Sequence, residues 1–91
     1  MASLHELCGL NKMYDFCERL KHIREKRGLT QLEVCKAITK LGNFNMQNTS
    51  PWSCYEAGVK YPNACKLRDI CVVLNVSADY LLGLSDKEDL K

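Results

Sequence analysis

No apolar run in the sequence approaches the ~20 residues that cross a bilayer, and nothing resembles the apolar region of a secretory signal. The expectation is a protein without membrane spans, located in the cytoplasm. Strict apolar/polar alternation is missing too, so strands are not expected. The six cysteines, Cys8, Cys17, Cys35, Cys54, Cys65 and Cys71, contain no C-x-x-C pair, and His5 and His22 stand alone. That spacing argues against a zinc site and a disulfide framework, leaving reduced thiols that behave as small hydrophobes. No Ser/His/Asp or Cys/His arrangement and no glycine-rich phosphate loop is visible. The chain therefore reads as a non-enzyme with no metal and no cofactor.

What is present describes one small domain. Ninety-one residues, 46% of them hydrophobic and 26% charged, suffice for a single modest core. The net charge is only +2, but it is unevenly spread. Seven basic residues between Glu18 and Lys40 (Arg19, Lys21, Arg24, Lys26, Arg27, Lys36, Lys40) face three acidic ones, a local net of +4. From Ser77 onward two lysines face four acids, a local net of −2. Such polarity can present a phosphate-binding side; a pair of ordinary solvated helices is the competing reading.

Five helices are expected. Residues 1–13 read as an arm or a short helix, because Ser3-Leu4-His5-Glu6 has capping-box form but Gly9 and Asn11 follow closely. Asp15 is the expected cap of helix 1, whose stripe is Phe16, Leu20 and Ile23 and whose stop is Gly28. Thr30 and Glu33 form a capping box for helix 2, with Val34, Ile38 and Leu41 as its stripe. Asn43–Thr49 has loop composition, and Ser50-Pro51 reads as N-cap and N1 of helix 3, which carries Trp52, Tyr55 and Val59 on one face. Asn63 caps helix 4 (Leu67, Ile70, Cys71, Leu74), and Ser77 caps helix 5 (Tyr80, Leu81, Leu82, Leu84). Residues 86–91 read as a frayed tail.

Two charges fall on apolar faces. Arg24 lies one position past Ile23 and eight past Phe16; Glu56 follows Trp52 by four and precedes Val59 by three. A lone buried charge costs several kcal/mol, and a bidentate Arg–carboxylate pair offsets much of that. The economical expectation is that Arg24 and Glu56 meet; the alternative is that each reaches solvent separately.

The segments "LKHIREKRGLTQLEV", "YEAG", a proline four residues after that glycine, and "LNVSADYLLG", in this order, resemble the Cro/repressor-type helix-turn-helix proteins, also called the XRE family. The resemblance spans about residues 16–83. It implies an all-α, five-helix, lambda-repressor-like DNA-binding domain over 14–85, with helix 3 entering the major groove of double-stranded DNA. It further implies a phosphate contact by Gln31, base-facing positions at Thr49, Ser50 and Cys54, and a backbone contact by Lys60; Ser53 shares the exposed face of helix 3. The Arg24–Glu56 pair matches a structural pair of that family, and Cys35 and Cys71 stand where it usually has alanine.

Two departures stand out. The connection from Gly42 to Thr49 is about twice the three or four residues usual between the two helices. The exposed face of helix 3 (Ser50, Ser53, Cys54, Ala57) also lacks the Arg, Asn or Gln that read bases bidentately; Asn43, Asn45, Gln47 and Asn48 are candidate substitutes, against an ordinary polar loop. The function implied is a sequence-specific transcriptional regulator, a repressor of phage or mobile-element type. The alternative is an antitoxin or protein-interaction module of the same fold with a toxin as partner. A homodimer is expected through Tyr80, Leu82 and Leu84, because helix 5 carries more apolar surface than one core-facing stripe buries. An accessible Cys54 also leaves a thiol-based redox sensor as a lesser reading.

Overall fold

The computed structural model describes residues 11–88. Among them are five helices and no strand: α1 (Asn11–Lys26), α2 (Gln31–Lys40), α3 (Ser50–Ala57), α4 (Ala64–Leu74) and α5 (Ala78–Leu81). This all-helical arrangement is compatible with a small helix-turn-helix DNA-binding domain. No described helix is long and apolar enough to cross a membrane. The arm or short helix expected over 1–13 and the last three residues of the expected tail lie outside the described residues, apart from the first turn of α1.

Helix boundaries follow the capping chemistry in most places. The α1 C-terminus closes at Gly28 (φ +73°), where Leu29 N–H donates to the Arg24 carbonyl at 3.1 Å. At α2, Thr30 Oγ1 accepts from Glu33 N–H and Glu33 returns the bond to Thr30 N–H, a complete capping box. Asn63 and Ser77 cap α4 and α5 through their side chains.

Three boundaries and the placement of Val59 differ from expectation. Helix α1 is already formed at Asn11, so Asp15 lies inside it and is not its cap; asparagine is only mildly unfavourable within a helix, and propagation carries through it. Thr49, not Ser50, is the N-cap of α3, which puts Pro51 at N2, still within the turn where a missing N–H is harmless. Helix α3 closes at Gly58 as its glycine predicts, so Val59, expected on its apolar face, lies beyond it and is 67% exposed. Helix α5 is a single turn, so Leu82 is its C-cap and Leu84 lies beyond it.

The core is shared by all five helices. Phe16, Leu20 and Ile23 of α1, Val34, Cys35 and Ile38 of α2, Trp52 and Tyr55 of α3, Ile70, Cys71 and Leu74 of α4, and Tyr80 and Leu81 of α5 are buried together. Each of the largest, if fully buried, contributes roughly 1.5–3 kcal/mol of hydrophobic stabilisation. Helix α1 packs on α3 and α5, α2 on α4 and α3, and α4 on α5. Burial raises the pKa of the Cys71 thiol, and burial together with the Glu56 charge raises that of Cys35. Both behave as small core hydrophobes.

Two segments outside the helices are also tied down. In the α2–α3 connection Met46 is buried, its N–H donates to Thr39 Oγ1 at 2.9 Å, and Asn43 Nδ2 donates to both oxygens of buried Asp69 on α4. Residues 84–88 turn back along α1. Arg19 donates to the Tyr80 and Ser85 carbonyls at 2.8 Å each and to Asp86 at 3.1 Å; Lys26 pairs with Glu88, whose carbonyl accepts from Ser77 N–H. Residues 86–88, expected to fray, thus have specific partners.

Candidate nucleic-acid interface

The element that positions the candidate site is a buried carboxylate. Glu56, on the last turn of α3, accepts from Arg24 Nε of α1 at 2.6 Å, Arg24 Nη2 at 3.2 Å, Gln31 Nε2 of α2 at 3.0 Å, and Trp52 Nε1 of its own helix. Arg24 Nη1 also donates to the Leu29 carbonyl at 2.8 Å, at the turn into α2. The side chains of Arg24 and Glu56 are 11% and 6% exposed, so the pair acts in a medium where charge-assisted bonds are strong. The hydrogen bond to Glu56 raises the pKa of Arg24, opposed by the weaker effect of burial. One carboxylate therefore ties α1, the start of α2 and the end of α3 together.

This network reaches the surface through Gln31. Its Nε2 is committed to Glu56, while its Oε1 accepts from Ser53 Oγ at 2.9 Å on the exposed side of α3. Gln31 thus bridges the first turn of α2 to the outer face of α3. Along that face Ser50, Ser53 and Ala57 are exposed and Cys54 is half-buried. Thr49 sits at the α3 N-cap without a side-chain capping bond, and Asn48 Oδ1 accepts from Ser50 N–H instead. Beyond Gly58 (φ +77°), the N–H groups of Val59 and exposed Lys60 both donate to the Cys54 carbonyl. Gln31, Thr49, Ser50, Ser53, Cys54 and Lys60 consequently gather at the start of α2, along α3 and at the turn that follows it.

The chain is similar to HTH-type transcriptional regulators. It is 38% identical over 66 residues to the HTH-type transcriptional regulator ImmR of Bacillus subtilis (strain 168), a match covering 72% of this chain and 46% of that protein. It is 34% identical over 76 residues to a second protein of that strain, named as the uncharacterized HTH-type transcriptional regulator YobD, covering 84% of this chain and 62% of that one. The chain spans about half to three-fifths of the length of these relatives. No family model matches the chain. No solved structure matches it either.

The charge pattern turns out differently from its sequence. Of the seven basic residues between Glu18 and Lys40, four hold internal acceptors: Arg19, Arg24 and Lys26 as described, and Arg27 through the Leu74 and Asn75 carbonyls at 2.7 and 2.9 Å. Arg27 thereby satisfies carbonyls left open at the α4 C-terminus. Lys21, Lys36 and Lys40 have no ion-pair partner among the described residues, and neither has Lys60. The acidic end of the chain pairs with two of these basic residues, Arg19 and Lys26.

The residues expected at a dimer contact separate. Tyr80 is buried at 8% exposure, with the Arg19 guanidinium 4.6 Å from its ring centre, and belongs to the core. Leu82 and Leu84 are 40% and 68% exposed. The cause is the brevity of α5, which turns Tyr80 and Leu81 inward and releases the following leucines into the turn. Sequence reasoning also missed Asp69, buried between Arg68 and Ile70 of α4. Its only signal is a carboxylate one position from a core isoleucine, the same kind of signal that exposed Arg24.

Proposed function

We propose that this chain is a sequence-specific DNA-binding transcriptional regulator, a repressor of the Cro/repressor (XRE) type, in which α2 and α3 form the helix-turn-helix and α3 enters the major groove. The observation that carries the reading is the Glu56–Gln31–Ser53 chain of hydrogen bonds. It fixes the first turn of α2 against the exposed face of α3, the relation a helix-turn-helix needs to place one helix over the backbone and the next in the groove. Similarity to HTH-type transcriptional regulators supports it. In this reading residues 14–85 form the DNA-binding unit and the protein works in the cytoplasm as a homodimer on a two-fold site. Gln31 and Lys60 contact phosphates, and Thr49, Ser50, Ser53 and Cys54 face bases.

The test is selection from random DNA duplexes followed by titration of the enriched duplex at several salt concentrations. Affinity is expected to fall linearly in log–log form as counterions are released, and Lys60→Ala to reduce the slope by about one. A flat salt response, or no enrichment, refutes the reading.

A further inference from the structure

The lengthened α2–α3 connection offers amides where α3 has none. Its residues divide cleanly by position. Asn43 is latched to Asp69, Phe44 lies under the Lys66 ammonium at 5.1 Å from the ring centre, and Met46 is buried. Asn48 is used to hold the first turn of α3. Between these anchors Asn45 and Gln47 are exposed, and neither side chain has a hydrogen-bond partner among the described residues. Four fixings on a short segment lower the backbone entropy that ordering it on a ligand requires. The connection is held at four points with two amides left over.

It also sits where a groove element belongs. The N-terminal residues of a recognition helix are those that approach base edges, and Gln47 precedes the α3 N-cap by two. The outer face of α3 carries serine, cysteine and alanine, which permit close approach but provide no bidentate pattern. Lys66, held beside Phe44, adds positive charge next to the connection and suits it to a phosphate-lined surface.

We propose that residues 43–48 form a second base-reading element of this protein, with the side-chain amides of Asn45 and Gln47 contacting base edges beside the positions covered by α3. The proposal rests on the DNA-binding reading above. Bidentate amides match the N6/N7 edge of adenine, so adenine is the expected preference. Small side chains on α3 then serve to bring the helix close, and the connection supplies the discrimination.

The experiment compares the full chain with Asn45→Ala/Gln47→Ala in parallel selections from random duplexes, with affinity for an unselected duplex measured at the same salt. Both positions are exposed, so unchanged thermal melting is expected. The wild type should enrich a motif with adenine preferred at flanking positions. The double variant should lose that preference and at least about tenfold in the ratio of specific to non-specific affinity. Its affinity for the unselected duplex should stay near the wild-type value. If both proteins enrich the same motif with the same ratio, the inference is overturned and the DNA-binding reading stands. Equal weakening on all duplexes also overturns it, since the amides then touch phosphates. If the wild type enriches nothing, both readings fall.

Discussion

Glu56 is the residue on which most of the architecture turns, because three helices meet at one carboxylate. Replacing either Arg24 or Glu56 by alanine is expected to cost ~3–5 kcal/mol, as when one partner of a buried pair is removed. Glu56→Ala should be the worse, since it strands Trp52 Nε1 and Gln31 Nε2 as well as Arg24. The double variant should cost much less than the sum of the singles, and urea unfolding of all four proteins completes the cycle; additive effects contradict the pairing. Cysteines give a second residue-scale expectation. Cys17, Cys35 and Cys71 are buried while Cys54 is half-buried and Cys65 exposed. Under native conditions a thiol reagent should label Cys54 and Cys65 promptly and Cys17, Cys35 and Cys71 at the rate of unfolding, as peptide mapping of the modified protein will show. The Arg24–Glu56 contact was legible because both charges interrupt apolar stripes. Its extension to Gln31 and Ser53 was not, because it depends on how α2 crosses α3, and no spacing within either helix encodes that.

Among the elements, the α2–α3 connection was the least legible. Its composition is that of a polar loop, and a single buried methionine has no period to reveal it. Met46→Ala is expected to destabilise the fold by about 2–5 kcal/mol, within the usual range for a buried methionine, measurable by urea unfolding; an effect near zero contradicts its docking. The returning segment 84–88 makes a different prediction. The hydrogen bond from Lys26 holds Glu88 below the usual carboxylate range, aided by the charges of Lys26, His22 and Arg27 and opposed by desolvation. A depressed folded pKa contributes stability that is present above the unfolded value, about 4.3 for glutamate, and is lost as pH falls through the folded value. Unfolding midpoints measured from about pH 5 down to about pH 3 should therefore fall less steeply for Glu88→Gln than for the wild type. Equal acid limbs in the two proteins contradict the contribution of this pair. The caps at Thr30, Asn63 and Ser77 were readable because each needs only a few adjacent residues. The end of α3 at Gly58 was readable for the same reason, whereas the short span of α5, which stops at Leu81, has no such local signal.

For the whole molecule, charge and apolar surface both read differently once the chain is folded. Arg19, Arg24, Lys26 and Arg27 are spent on internal acceptors, so the salt dependence expected of DNA binding falls to the lysines without an ion-pair partner among the described residues, Lys21, Lys36, Lys40 and Lys60. Leu82 and Leu84 remain as exposed apolar surface, which the proposed homodimer would use. On a selected duplex, two copies per site are expected, and Leu82→Glu should weaken binding without altering the melting of the free protein; one copy per site on a non-palindromic footprint contradicts the dimer. The five-helix order was legible because each stripe repeats at helical spacing; the pairing of the chain's acidic end with its basic helix was not, since it joins residues more than sixty positions apart. That distribution of contacts has a consequence for α3. It has eight residues, contains a proline, and places no basic side chain in its last turn, whereas isolated helices shorter than ~12–15 residues are marginal in water. A synthetic peptide spanning residues 48–60 should show the circular dichroism of a coil, and the helical content of α3 in the intact chain should vanish in one cooperative step with the rest. Its shape is borrowed from α1 and α2, and α3 cut from this protein has no conformation of its own to offer.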